Sequence, residues 1–180
     1  MSEGKIRSLH VYPVKGLSGQ ALERVELSRA SGIPFDRMFG FARADSGFDP
    51  ANPLPMPKNR FLMLMRDERL AAIDTHFDPA DWRLTISENG TLLLEADLRE
   101  EGGRRGGEQF LTLLLGRDAP PRFVHAAPHR FTDVSVTSQS LMNAVSLVNL
   151  DSVAAFGARI GREVNPARFR ANIRFSGWEP

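Results

Sequence analysis

Hydrophobic and polar residues alternate along much of the first 125 positions, and such alternation predicts half-buried β-strands. Within residues 21–29, for example, Leu22 and Leu27 are expected to face inward. Residues 60–66 are apolar enough for a fully buried strand. In full, this pattern predicts strands over residues 5–14, 21–29, 37–45, 60–66 and 122–126.

The clearest local signal is the Asn89-Gly90 pair, which separates two alternating runs within residues 82–98. An Asn-Gly pair favours the left-handed backbone of a tight hairpin turn. The next stretch, residues 99–108, is rich in glycine and charge, and we expect a flexible connector there. Apolar residues at helical spacing then predict a helix over residues 108–116 that ends at a glycine.

The remaining segments indicate a change of organisation near the middle of the chain. Residues 46–58 contain four prolines and are typical of a long surface loop, and residues 127–142 are polar and irregular. A domain boundary is therefore expected near residue 120. Beyond it the pattern predicts a buried strand over 144–150, a helix over 151–161 capped by Asn149 or Asp151, and a strand over 168–177. The expected fold class is β-rich α+β, with a small barrel or sandwich at the N-terminal end.

Composition narrows the possible environments and partners. The 180 residues are 42% hydrophobic and 25% charged, with a net charge of +1, so neither nucleic acid nor an anionic membrane is an expected partner. No cysteine is present, which excludes disulfides, thiolate zinc sites and a cysteine nucleophile. Neither a secretory signal nor an apolar run of about 20 residues is present, and we expect a cytoplasmic protein.

Two segments place cations at the ends of apolar strands, which is one way to build an anion site. In the first, Lys15 follows Val-Pro and precedes a Gly/Ser turn; a solvated lysine is the simple alternative. Arg37 follows Asp36 at the start of a strand, where a local surface ion pair is the alternative. The second segment holds Arg168, Arg170 and Asn172 within five residues.

Other candidate sites are weak. Pro128 interrupts any helix that would bring His125 and His129 together, so a histidine metal site is not expected. The Gly-Gly-Arg-Arg-Gly-Gly stretch lacks the Lys-Ser/Thr of a phosphate-binding loop. No Gly-x-Ser-x-Gly turn organises a serine nucleophile, and no paired carboxylates suggest acid–base catalysis. We therefore predict no catalytic and no metal-ligating residue.

The motifs YPVKG, FDRMFGF and RFRANIRFSG occur in the order and spacing that resemble the MOSC family, named for the C-terminal domain of molybdenum-cofactor sulfurases. Its members include the amidoxime-reducing enzymes. The resemblance implies a MOSC N-terminal β-barrel domain over residues 1–120 and the beginning of a MOSC domain, an incomplete second barrel, over residues 121–180.

The resemblance also implies a binding site for the molybdenum cofactor, molybdopterin. Lys15 and Arg37 correspond to residues that reach its phosphate and pterin. Gly16 stands where the family commonly has serine, so a backbone amide alone remains to bind there. The C-terminal match adds four more cofactor-binding residues, of which Arg170 and Asn172 lie in the Arg-Phe-Arg-Pro-Asn motif with Ala171 in place of proline. The other two are Ser146 and Asn149, at a strand-to-helix turn.

One family feature is absent, since the chain ends before the position where the metal-binding cysteine is expected. Either the chain is truncated or it is a natural short form without catalysis, so its status as an enzyme is left open. In complete form the resemblance implies an oxidoreductase acting on N-hydroxylated substrates or a sulfur-handling protein, with a redox partner protein. The alternative is a non-catalytic cofactor carrier, or a protein-interaction or anion-binding module.

Two further expectations follow from the same comparison. The sulfurase kinship brings an association with pyridoxal phosphate, but no lysine has the context of a Schiff base, and this cofactor is not expected. If the second barrel is incomplete, strand 168–177 becomes an exposed edge carrying Ile173 and Phe175, through which the chain self-associates.

Overall fold

The computed structural model describes residues 3–28, 31–49, 51–52, 54, 56–125, 127–133 and 138–180, with no side chain given at positions 139 and 140. The expected β-rich α+β class is confirmed. The strands of the described residues are β1 (Lys5–Val11), β2 (Gln20–Leu22), β3 (Phe39–Ala42), β4 (Asp74–Asp78), β5 (Arg83–Glu88), β6 (Thr91–Asp97), β7 (Arg122–His125), β8 (Leu147–Asn149) and β9 (Ile173–Ser176). The α-helices are α1 (Glu101–Leu114) and α2 (Leu150–Arg159).

The strands form three sheets, and the chain divides into two compact units. The four-stranded sheet has the order β2-β1-β9-β8, the two-stranded sheet pairs β3 with β7, and the three-stranded sheet has the order β4-β5-β6. Unit 1 comprises Met1–Val11, Ala21–Pro34 and Asn143–Pro180, and unit 2 comprises Tyr12–Gln20 and Phe35–Met142. The domain boundary near residue 120 stays a prediction. No helix of the described residues is long and apolar enough to cross a bilayer.

Unit 2 is built around an aromatic core and a hairpin. Phe39, Phe41 and Phe77 are at most 1% exposed and lie in one hydrophobic cluster. The predicted hairpin is confirmed: β5 and β6 pair antiparallel, and both Asn89 and Gly90 have the positive φ that the tight turn requires. The strand predicted at 122–126 is confirmed over Arg122–His125 as β7, and position 126 lies outside the described residues.

The flexible connector predicted over residues 99–108 is wrong, because α1 already begins at Glu101. Glycine lowers helix propensity, but here its small size permits close packing. A Cβ at position 103 would collide with the backbone carbonyl of Asp97, and one at position 107 would lie 3.4 Å from the Phe41 ring. The contact at position 107 is an ordinary one, so it is Gly103 that lets the helix approach β6 closely.

The buried strand predicted over residues 60–66 is also wrong. Phe61 forms only an isolated bridge with Ala42, and the chain then turns, leaving Met65 79% exposed. The buried Asp67 carboxylate causes this turn, since it accepts a hydrogen bond from the Met63 amide at 3.0 Å and pairs with Arg117. A local side-chain hydrogen bond has replaced strand pairing.

In unit 1, β9 lies inside its sheet rather than at an edge. It pairs antiparallel with β1 and parallel with β8. The expectation that strand 168–177 is an exposed edge is therefore wrong, because the N-terminal strand covers it. Self-association itself stays a prediction. The predicted cap of α2 is confirmed, since the Asn149 side chain accepts the Asp151 amide at 3.1 Å.

Several predicted strands are shorter than expected, among them those over residues 21–29 and 168–177. β2 ends at Leu22, and Leu27, expected to face inward, is 50% exposed. At the other end, Pro166–Phe169 is a 3₁₀ turn, not strand. The Asn165 side chain caps this turn by accepting the Ala167 amide at 2.8 Å, and proline suits the first position of a helical turn.

Candidate anion site

Two segments of unit 2 run side by side and position Lys15 and Arg37. The Arg37 amide donates to the Tyr12 carbonyl at 2.7 Å, and the Phe39 amide donates to the Pro13 carbonyl at 3.0 Å. The Lys15 amide in turn donates to the Phe39 carbonyl at 2.8 Å. Backbone hydrogen bonds therefore hold the two basic residues on neighbouring segments.

A third segment, residues 129–133, completes this arrangement around the lysine. The Phe131 amide donates to the Arg37 carbonyl at 2.8 Å, and the Lys15 ammonium donates to the Phe131 carbonyl at 2.9 Å. The same ammonium pairs with the Asp133 carboxylate. Lys15 is only 7% exposed, so the alternative of a solvated lysine is wrong.

Arg37 is held by a buried carboxylate and an aromatic ring. Its guanidinium pairs with Asp36, which is 4% exposed, and lies 4.5 Å from the centre of the Tyr12 ring. The other oxygen of Asp36 accepts the Tyr12 amide at 2.9 Å. The alternative of a surface ion pair is therefore wrong. The guanidinium is fixed in direction before any ligand arrives.

Sequence reasoning missed a third cation, Arg130. Its guanidinium lies 3.5 Å from the Asp36 carbonyl oxygen, next to the segment that carries Arg37. Burial lowers the pKa of Arg130, and the nearby Asp36 charge opposes this shift. The only sequence signal was a basic residue beside Phe131 in a stretch that looked irregular. Lys15, Arg37 and Arg130 are called the cation cluster below.

Gly16 has a structural reason to be glycine that does not depend on a ligand. Its φ is +82°, and a Cβ there would collide with the Leu62 carbonyl oxygen. Serine, the usual family residue at this position, would be strained in this backbone.

We therefore expect Gly16→Ser to lower the free energy of unfolding by about 1–3 kcal/mol, the usual cost of a strained backbone. Urea unfolding measures it. The control is Gly47→Ser, at a φ of +72° where a Cβ meets nothing within 4 Å, so only the backbone cost remains. Equal losses in the two variants would show that the collision with Leu62 costs nothing.

The residues predicted from the C-terminal motif lie in unit 1, where two of them bind each other. Asn172 is 1% exposed, and its side-chain oxygen accepts from the Ser146 amide at 3.1 Å and hydroxyl at 2.8 Å. Its side-chain nitrogen donates to the His10 carbonyl at 3.2 Å. These contacts give Asn172 and Ser146 a role in holding strands together.

Asn149 and Arg170 are placed at turns of unit 1. Asn149 caps α2, and its amide nitrogen also donates to the Trp178 carbonyl at 3.1 Å. Arg170 ends a 3₁₀ turn with a φ of +50° and is half-buried. That these residues share one cofactor site with the cation cluster stays a prediction.

A shallow apolar groove of about 570 Å³ runs beside α2 in unit 1, from Leu150 to Pro166 along the chain. None of the predicted site residues lines it. Among the described residues, no group of three or more His, Asp or Glu side chains is placed to hold a metal ion.

Unit 2 holds three buried or half-buried cations on neighbouring segments, and such donors suit an oxyanion. Comparison with known families gives one finding, since residues 3–120 match the family model described as MOSC N-terminal beta barrel domain. No curated protein matches the chain in sequence.

Proposed function

Because the chain belongs to the MOSC N-terminal beta barrel domain family, we propose that it binds the molybdenum cofactor, and that the cation cluster receives its phosphate. In complete form such a protein is an oxidoreductase of N-hydroxylated substrates or handles cofactor sulfur. A redox partner protein and a cytoplasmic location belong to the same proposal.

One observation carries the proposal, namely that the buried Lys15 ammonium already binds an oxyanion group. That group is the Asp133 carboxylate, whose side chain is 61% exposed while the lysine side chain is 9% exposed. Because the Asp133 side chain is already largely exposed, it can move into solvent with little change in its own hydration. A phosphate oxygen can then take its place on the ammonium.

The residues fit one part of the cofactor. Lys15 and Arg130 would supply positive charge for a phosphate dianion, and Arg37, which lies over the Tyr12 ring, would donate to polar atoms of the pterin. The bound molybdenum centre would supply two-electron reduction or sulfur transfer. The 180 residues contain no cysteine, so no thiolate of this chain binds the metal.

A second candidate is a carrier that holds the cofactor without catalysis. The chain would bind phosphate and pterin and leave the metal ligands open for another protein. A general anion-binding module is a third reading, and it differs from the other two in having no preference for the pterin.

The experiment is to express the chain in a host that makes the cofactor, purify it, and oxidise the bound pterin to a fluorescent product. About one pterin per chain supports the proposal. Displacement of this pterin only by high concentrations of pyrophosphate supports cofactor binding over general anion binding. A chain that binds pyrophosphate but carries no pterin would leave only the anion-binding module.

We expect Asp133→Asn to strengthen pyrophosphate binding by about two- to fivefold, because it removes a carboxylate that competes for Lys15. Isothermal titration measures the affinity. The control is Asp45→Asn, which also removes an exposed carboxylate, 74% exposed beside Arg43, and changes net charge equally. If the two variants gain equally, the effect is one of net charge and Asp133 does not compete at the site.

A further inference from the structure

One face of the four-stranded sheet in unit 1 carries a second group of polar and basic side chains. Antiparallel pairing places Ser8 opposite Arg174, so both side chains point to the same face. Residues two positions apart on a strand share a face, which adds His10 and Ser176. The imidazole of His10 lies 3.0 Å from the Ser8 hydroxyl, as this placement requires.

A β-bulge adds Arg7 to this face. The register of β1 against β9 shifts between Ile6 and Ser8, so Arg7 is the extra residue. Its Nε donates to the Ser176 hydroxyl at 2.6 Å, although the two residues are 169 positions apart in the chain. The five residues Arg7, Ser8, His10, Arg174 and Ser176 are called the basic face below.

The two arginines of the basic face have no carboxylate partner among the described residues. The Nε of Arg174 is buried and forms no hydrogen bond within the described part of the chain. A buried donor without an acceptor is costly, at about 1–3 kcal/mol. Two guanidinium groups, one with an unused buried donor, therefore indicate that an anion belongs here.

The pKa of His10 reflects its burial and the excess of positive charge on this face. Burial and the nearby Arg174 both lower its pKa. The imidazole is therefore neutral near pH 7, with the hydroxyl of Ser8 as its neighbour. The face presents two guanidinium groups, two hydroxyls and a neutral ring nitrogen, and the exposed Lys5, which is paired with Ser176, adds a third positive charge at its edge.

We propose that the basic face binds a phosphate dianion, as inorganic phosphate or a phosphomonoester, with Arg174 and Arg7 as the charged ligands. Two guanidinium groups match a charge of −2, and a tetrahedral phosphate has enough oxygens to accept from both arginines and both serine hydroxyls. A carboxylate has one charge and two oxygens, and it would leave part of this donor set unused. The site lies on residues to which the family resemblance assigns no role.

The test uses the full chain carrying Lys15→Met, so that the cation cluster lacks the ammonium proposed to bind phosphate. Isothermal titration with inorganic phosphate is expected to detect binding, and Arg174→Gln is expected to weaken it at least tenfold. Arg7→Gln, at an exposed position that tolerates substitution, is expected to weaken it three- to tenfold. The matched control is Arg162→Gln, an exposed arginine of unit 1 on the segment after α2.

A second readout separates a ligand from a merely structural role. In the same titration the imidazole NMR signal of His10, assigned with His10→Gln, should shift, whereas that of His76 should not. If phenyl phosphate binds as tightly as inorganic phosphate, the site accepts phosphomonoesters. If only inorganic phosphate binds, the site is one for the free ion. Acetate binding equally well, no binding in the Lys15→Met chain, or equal affinity in the Arg174→Gln and Arg162→Gln variants would each overturn the proposal.

Discussion

Replacing Lys15 with methionine is expected to reduce the affinity of the chain for pyrophosphate and for the pterin by about 10- to 100-fold. A hydrogen bond to a charged group contributes about 1.5–3 kcal/mol, and tenfold corresponds to about 1.4 kcal/mol. Methionine keeps most of the apolar stem of lysine and removes only the charge. Its stem stays beside Phe61, whose ring centre lies 5.6 Å from the ammonium.

The Lys15→Met substitution is expected to change ligand binding without changing stability. The partner that loses its ion pair, Asp133, is 61% exposed and remains hydrated, so we expect little change in the free energy of unfolding. Lys58→Met is the matched control, because Lys58 is an exposed lysine of the same unit. Pterin content and pyrophosphate titration should be unchanged there. Equal affinities in the two variants would remove Lys15 from the proposed site.

The largest expected loss of stability is that of Asp36→Ala, about 3–5 kcal/mol. This carboxylate is 4% exposed, and it both pairs with Arg37 and accepts the Tyr12 amide at 2.9 Å. Its removal takes the Asp36 carboxylate away from a largely buried guanidinium and from the buried Tyr12 amide. Urea unfolding followed by tryptophan fluorescence measures the change.

Two further variants show which part of the Asp36 contribution is electrostatic. Asp36→Asn keeps an oxygen for the Tyr12 amide and should lose less stability than alanine. Asp45→Ala breaks the exposed pair with Arg43 and should cost no more than about 1 kcal/mol. A loss at Asp36→Ala no larger than at Asp45→Ala would mean that the buried pair is not a structural element of unit 2.

The sequence correctly predicted those elements that depend on the preferences of neighbouring residues. The Asn89-Gly90 turn and the Asn149 cap depend on backbone and side-chain preferences of neighbouring residues, and both are confirmed. The glycine-rich start of α1 was missed, because Gly103 serves close packing against Asp97, a contact that no local pattern contains. The turn at Met63 was missed for a similar reason, since a buried carboxylate causes it.

The candidate site was predicted in part. Lys15 and Arg37 were recognised from their motifs, but their burial and their carboxylate partners depend on chain segments far away in sequence. Asp133 contacts Lys15 across 118 positions, and Arg130 reaches Asp36 across 94. Such pairings follow from the tertiary arrangement, so the hydrophobic pattern of the sequence does not reveal Arg130.

The pairing of β1 with β9 has a consequence for synthesis on the ribosome. β1 emerges long before β9, its partner, from which it is separated by more than 160 residues of chain between Val11 and Ile173, and long-range pairing of this kind slows folding. The segments of unit 2 come out earlier than β9, and their hairpin contacts are short in sequence. Unit 2 can therefore fold while the chain is still growing, whereas β1 waits with an open edge that a chaperone would have to protect.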